Sequence, residues 1–259
     1  METFKIFKNI GIVLFATLMC INFTSCNNDN DPTKNTTKGK KLTKMVDEDD
    51  EEDTFLFSYD EKGRLIETKG INNDNGKAWV YCSYTWKDNT IDIVEITPSG
   101  NVRNYIWDIE NGLVKNINGD ENATLSYNNS KKLIFYEDEW DTTSFIWEED
   151  KLSSFYTKGG NSFKWNEAFT YDNIPCKKDC FHPFLLRLNK EHWIAEYFLP
   201  FAHPELLGMQ TTKLPTKLTS LIDNDFQTYK YEFDKNGYVS KIIITDDYGD
   251  TETYTLTWE

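Results

Sequence analysis

An all-β fold is predicted: an antiparallel, many-stranded meander closing into a barrel-like or strongly curved sheet, with one short helical insert at about 182–208. Three features of the sequence point there. Aromatic residues alternate with polar ones in short runs; each run ends in a turn rich in Asp, Asn or Gly; and the unit recurs along the chain. In the clearest copy, Tyr229, Tyr231 and Phe233 share one parity, and Lys230, Glu232 and Asp234 share the other. A period of two places these sets on opposite faces of a strand, one buried and one wet. The turn Asp234-Lys235-Asn236-Gly237 suits a type I turn whose last residue has φ > 0, and an apolar return runs from Val239 to Ile244. Phe55 to Ile66 repeats the phrase.

Anchor aromatics before or within the turns fall at Tyr59, Trp86, Trp107, Tyr127, Trp147 and Tyr171, in steps of 27, 21, 20, 20 and 24 residues, and return at Phe233 and Trp258. Each step holds about two strands of the usual ~5–6 residues. Self-similarity at such spacing marks an array whose units bury their faces against neighbours.

In order, strands are expected at Phe55–Tyr59, Arg64–Lys69, Ala78–Trp86, Ile91–Thr97, Val102–Trp107, Leu113–Ile117, Ala123–Tyr127, Lys132–Tyr136, Thr142–Trp147, Leu152–Tyr156 and Ser162–Tyr171. No connection among them is long enough for a crossover helix, so neighbours pair antiparallel. So many strands in an open sheet would leave exposed edges, which closure removes. The candidate outward rows carry Ser58, Asp60, Asp108, Glu148, Lys230, Glu232 and Asp234. Charges at that density are costly facing lipid, so the barrel reads as soluble rather than as a membrane pore.

The period breaks over 172–215. Pro183 to Leu199 has the composition of a helix, with Leu185, Leu188, His192, Ala195 and Leu199 on one stripe and Pro200 as its stop; a second short turn is expected from Pro204 to Leu207, ended by Gly208. Such an insert would cap a barrel mouth or pack across the sheet. It holds all three histidines, His182, His192 and His203, together with Cys176 and Cys180. His192 and Glu196, one helical turn apart, are the candidate metal ligands, but neither the His nor the Cys spacing matches a zinc motif, and no metal or other cofactor is expected. In an exported protein Cys176 and Cys180 suggest a small disulfide or two thiols. Cys82, inside a strand, reads as a small buried hydrophobe.

The N-terminal segment divides from the rest. Lys5 and Lys8 precede the apolar run Ile10–Met19, the pattern of an export signal over 1–25. Phe23-Thr24-Ser25-Cys26 resembles a relaxed bacterial lipobox, departing from it at Phe23 where Leu is usual; it implies cleavage before Cys26 and lipidation of its thiol. Residues 26–53 then read as a flexible acidic tether, closing with the seven consecutive carboxylates of 47–53, a solvated run. A single repeat-built β domain is expected over 54–259.

The formal net charge of −15 argues against nucleic acid as a partner and against a polybasic contact with anionic lipid. No nucleophile elbow, His-Glu-x-x-His or phosphate-cradling loop is present. Carboxylate pairs suited to glycoside hydrolysis cannot be picked from 43 acidic residues without geometry.

The lipobox-like segment, the Tyr-Asp-x-x-Gly turns, and the phrase Leu214-Pro215-Thr216-Lys217-Leu218 followed by Tyr229 to Tyr238 give the chain a resemblance. It is similar, from about Leu42 onward, to gut Bacteroidales lipoproteins of unknown function that have a porin-like fold; YD-type repeat proteins share the turn. The resemblance implies a many-stranded antiparallel barrel and supplies no activity and no functional residues. The resulting expectation is a non-enzymatic protein, lipid-anchored to the outer membrane on its periplasmic or cell-surface face, binding or scaffolding an envelope protein or a glycan. The alternatives are a secreted carbohydrate-active hydrolase and a hollow-barrel carrier of small molecules.

Overall fold

The hairpin turns repeat one piece of local chemistry. In the computed structural model, which describes residues 39–48, 53–97, 99–119, 122–159, 162–191 and 198–259, Asp60 Oδ1 accepts hydrogen bonds from the backbone N–H groups of Lys62 and Arg64, and Gly63 N–H donates to the Asp60 carbonyl. Asn128, Asp234 and Asp246 open their turns in the same way. The left-handed position falls to Gly63, Gly237 and Gly249, but at Asn128's turn to Lys131, with φ 60°, a conformation costing a non-glycine residue roughly 1 kcal/mol.

These turns join sixteen strands: β1 (Leu42–Asp47), β2 (Asp53–Tyr59), β3 (Leu65–Asn72), β4 (Lys77–Trp86), β5 (Thr90–Ile96), β6 (Val102–Glu110), β7 (Leu113–Asn118), β8 (Ala123–Tyr127), β9 (Leu133–Glu137), β10 (Asp141–Glu148), β11 (Lys151–Gly159), β12 (Ser162–Phe181), β13 (Gln210–Ser220), β14 (Phe226–Phe233), β15 (Val239–Asp246) and β16 (Thr251–Trp258). Each pairs antiparallel with its sequence neighbours, and β1 pairs with β16 from Leu42↔Trp258 to Asp47↔Tyr254. The barrel is closed, and Gly39–Glu259 forms one unit.

Strand β1 corrects the tether boundary. Leu42–Asp47 is not spacer but the strand that closes the barrel, with Leu42 and Met45 buried. Its polar composition and the adjoining carboxylates hid it, and Asp47 and Asp53 lie in strands at either side of the acidic run.

The anchor aromatics act as latches. Tyr59 Oη donates to the Leu42 carbonyl, Trp86 Nε1 to Leu65, Tyr127 Oη to Val114, Trp147 Nε1 to Leu133, Tyr171 Oη to Leu152, Tyr231 Oη to Pro215 and Trp258 Nε1 to Val239, all at 2.6–2.8 Å. In five of the seven, a ring near the end of an even-numbered strand reaches a carbonyl near the start of the odd-numbered strand before it; Tyr171, midway along β12, and Pro215, midway along β13, make the same link further inside their strands. Two anchors stand outside this set: Trp107, fully buried within β6, and Phe233. Phe233 pairs with Val239 just after a bulge, the position Tyr59 holds against Leu65. Phenylalanine has no donor, so Tyr231 makes the bond and Phe233 is left partly exposed. Arg64 lies over Trp86, Lys132 over Trp147 and Lys151 over Tyr171, with cation-to-ring distances of 5.0–6.0 Å.

The interior is filled by the insert, which lies close to the expected 182–208 and within the 172–215 break in period, because β12 continues to Phe181 and β13 begins at Gln210. Helix α1 spans Phe184–Glu191. Pro200 does not stop a helix but starts one: Phe198, at φ 56°, is the N-cap of α2 (Leu199–Ala202). A 3-10 turn at Pro204–Leu207 ends at Gly208, φ 61°, as expected. Phe184 packs on Phe145, Phe155 and Phe169; Phe198 packs on Phe55 and Phe57; Phe201 packs on Phe181. Leu185, Leu186, Leu199, Leu207 and Met209 complete a core continuous with the inward rows of the strands. Gly208 abuts the β8–β9 turn so closely that a Cβ there would sit 2.2 Å from the Lys131 carbonyl.

Tyr59→Phe and Tyr127→Phe each delete one latch while keeping the ring. Each is expected to lower unfolding free energy by about 1–2 kcal/mol, because a buried carbonyl loses its donor. Phe233→Leu is expected to change it by less than about 0.5 kcal/mol. Urea titration of the three variants checks this contrast.

Candidate functional site

Glu167, Phe169 and Tyr171 share the inward parity of β12, so a carboxylate stands where the pattern calls for an apolar side chain. Its partner comes from the insert: Arg187 of α1 places a guanidinium nitrogen 2.6 Å from Glu167 Oε1, with both side chains largely buried. This ion pair lines a cavity of about 460 Å³ among β12, β13, β14 and β15. Trp165 and Phe226 supply aromatic wall, Ser220 and Gln227 neutral polar groups, and Asp223, Asp225, Asp246 and Asp247 carboxylates from the β13–β14 turn and the end of β15. Lys217 Nζ sits 4.0 Å from the centre of the Phe226 ring.

The rim carboxylates are not equivalent. Asp225 is raised above its ordinary pKa by desolvation and then by the neighbouring Asp223 and Asp247 charges. Asp223 is lowered, chiefly by a hydrogen bond from Ser220. The arrangement offers ring faces for stacking and many acceptors beside one guanidinium, a lining suited to a polyhydroxylated or cationic ligand. A second groove of about 300 Å³ lies at the β7–β8 and β9–β10 ends, lined by Asn116, Asn118, Asn122, Glu137 and Glu139 among others.

Among the described residues, none of the candidate site residues named from the sequence lines the larger cavity. His182 is fully buried and built into the plug: Phe184 N–H donates to its Nδ1, and its Nε2 lies 2.9 Å from Tyr171 Oη, which itself donates to Leu152. With Tyr171 donating elsewhere, the histidine is the neutral Nε2–H tautomer. Burial lowers its pKa to about 3, with the Lys132 charge adding to the effect. His203 accepts from Leu65 N–H through Nε2, and its Nδ1 is 2.8 Å from Glu205 Oε1. Both histidines are thus structural. His192, Glu196 and Cys26 lie outside the described residues. Among the described residues, no group of three or more His, Cys, Asp and Glu side chains is placed to hold a metal ion. Cys82 is fully buried, as expected. Cys176 and Cys180 are thiols here rather than a disulfide. The sequence signal for the cavity was an acid at core parity, Glu167, and an arginine in an otherwise apolar helical segment.

No family model matches the chain, and no curated protein matches it in sequence. Solved structures do. A porin-like protein from Bacteroides uniformis aligns over 84% of this chain and 98% of its own with a TM-score of 0.65 and 15% identity. The chain has a porin-like fold. A porin-like protein from Bacteroides vulgatus repeats the likeness, covering 85% of this chain and 99% of that one, with a TM-score of 0.59 and 14% identity. At these identities the shared property is the barrel itself.

Two outcomes are expected. Because the unfolded chain protonates His182 below about pH 6.5 while the folded chain resists down to about 3, its contribution to stability is complete above 6.5 and falls with pH across that window, by up to about 1.4 kcal/mol per pH unit. Thermal melts between pH 7 and 4.5 should fall less steeply in His182→Gln. Arg187→Ala, which strands Glu167, should cost about 3 kcal/mol or more, and pairing it with Glu167→Gln should recover part of that loss in a double-mutant cycle.

Proposed function

We propose that the protein is a non-enzymatic, lipid-anchored envelope protein that binds a polar partner at the mouth formed by β12 to β15. The observation supporting this most directly is the direction of the barrel's polarity. The plug and the inward rows are mostly apolar, with Thr68, Glu95, Thr143 and Glu167 among the buried exceptions, while the exposed positions mix charged residues such as Lys230 and Glu232 with Leu56, Ile66, Ile106 and Ile146. A membrane-spanning barrel has the opposite arrangement, apolar toward lipid and wet within. The filled interior also disfavours a hollow carrier, and leaves the rims and outer wall as the surfaces available for recognition.

The anchor is Cys26. Lys40 and Lys41, just inside the described chain, bind at the latch end of the barrel: Lys40 Nζ pairs with Asp234 at 3.2 Å, and Lys41 pairs with Glu259 through the backbone. The cavity lies at the other end, formed by the turns after β13 and β15. Lys40 and Lys41 thus lie at the end opposite the mouth, an arrangement that would suit presentation of the mouth to a partner. A saccharide fits the lining best, since Trp165 and Phe226 offer ring faces and the flanking polar groups can bond hydroxyls. A segment of another envelope protein is the competing occupant. The carboxylates around the cavity keep a carbohydrate-active hydrolase as a second reading, distinguished by whether a bound glycan is cleaved.

Cys26→Ala is expected to move the protein from the membrane to the soluble fraction and to abolish metabolic labelling with a fatty-acid probe. Membrane retention of this variant would refute the anchor. The wild-type protein is expected to give no ion conductance in planar bilayers.

A further inference from the structure

A place where two strands fall out of step brings two thiols together. Pro175 pairs with Lys213 and Cys180 with Thr211, so five steps along β12 are matched by two along β13. The excess residues between Cys176 and Cys180 bulge from the ladder, so that both cysteines meet β13 at the same residue, Thr211. In a regular strand, residues four apart would stand about 13 Å apart. Cys176 Sγ donates to the carbonyl of Thr211, the residue paired with Cys180, at 3.3 Å. The two sulfurs differ in access: Cys176 is half-buried, and Cys180 is 2% exposed.

We propose that Cys176 and Cys180 form a thiol–disulfide exchange site in which Cys176 attacks and Cys180 resolves. The partner is a disulfide donor, either a small molecule or a protein. The Cys176 thiolate attacks one donor sulfur, the donor S–S bond breaks, and the first donor thiolate leaves with the electron pair and takes up a proton. Cys180, deprotonated, then attacks Cys176 Sγ and expels the second donor thiol. Two cysteine thiols are oxidised to one disulfide, and one donor disulfide is reduced to two thiols. The hydrogen bond to Cys180 lowers the Cys176 thiol pKa, burial opposes this, and the Lys213 charge adds to the lowering. Attack by an accessible, lowered thiol on behalf of a buried partner follows from that asymmetry.

The test uses oxidised glutathione as donor on the full exported chain, followed by alkylation, trypsin and mass spectrometry. Trypsin cuts after Lys177 and Lys178, between the two cysteines, so their peptides travel together only when bridged. The wild type should yield the bridged pair, Cys180→Ser should hold one glutathione on Cys176, and Cys176→Ser should take up none. In untreated wild type, iodoacetamide should modify Cys176 at least about tenfold faster than Cys180. Buried Cys82 serves as the internal control, since its labelling reports unfolding of a variant. With Cys82 protected, failure to form the bridge, glutathione captured first on Cys180, or equal alkylation rates would overturn the proposal. Should a variant unfold, the wild-type bridging and alkylation rates decide alone.

Discussion

The barrel depends on a bond between a ring and a carbonyl. Leu42, Leu65, Val114, Leu133, Leu152 and Val239 are buried, each near the start of an odd-numbered strand. At that rim the hairpins carry bulges, for instance at Ser58/Tyr59, Ser126/Tyr127 and Ile146/Trp147. A carbonyl covered by a ring at such a rim has little access to water and needs a donor. The covering ring supplies it, through an indole N–H or a phenol O–H. This accounts for Tyr and Trp at the anchors where Phe would bury similar apolar area. It also ties β2, β4, β8, β10, β12, β14 and β16 each back onto the strand before it, so hairpin formation and rim closure reinforce each other. The substitution of role at Tyr231 shows that the bond matters more than the sequence position: where the repeat places a phenylalanine, a neighbouring phenol two residues earlier makes the contact.

A closed sheet of sixteen strands encloses more space than its own inward side chains fill, and barrels of that strand number in membranes hold an aqueous channel. Here the chain fills the space with its own insert between β12 and β13. Phe184, Phe198 and Phe201 interlock with inward aromatic residues from β2, β10, β11 and β12, so the plug belongs to the core and is not a lid resting on it. Its polar groups are matched to the wall as well, with His182 bonded to Tyr171, His203 bonded to Leu65 N–H, and Arg187 paired with Glu167. Two of these three contacts use latch residues or their acceptors, so the latch rim and the plug are held as one.

Much of this architecture was legible because its signals are local. Alternation, Asx-opened turns and ring spacing are short-range properties, and the strands from Phe55 to Tyr171 appear where they indicate. What escaped was long-range. Leu42–Asp47 becomes a strand because Trp258 and its neighbours on β16 need a partner, a demand made more than 200 residues away. β12 extends past Tyr171 because β13 returns beside it after the insert, and irregular pairing there blurs the alternation. Pro200 reads equally well as the end of one helix or the start of the next, and only the left-handed Phe198 before it decides. The cavity required Arg187 and Glu167 to meet across a fold that had first to close.

The two rims consequently differ in chemistry, for reasons tied to their construction. At the latch rim, cations are useful: Arg64, Lys132 and Lys151 lie over rings that are already fixed by their bonds, and Lys40 neutralises Asp234, whose carboxyl keeps a pKa of about 2 because bonds from the Tyr238 and Asn236 backbone and from Lys40 outweigh desolvation. At the mouth lined by β12 to β15, Lys217 lies over the Phe226 ring, and four of the lining residues are aspartates set against one arginine. Crowding them raises the Asp225 carboxyl above its ordinary range, through desolvation first and then through the Asp223 and Asp247 charges. The proposed recognition of a polar partner there would give those charges a role that closure of the barrel does not.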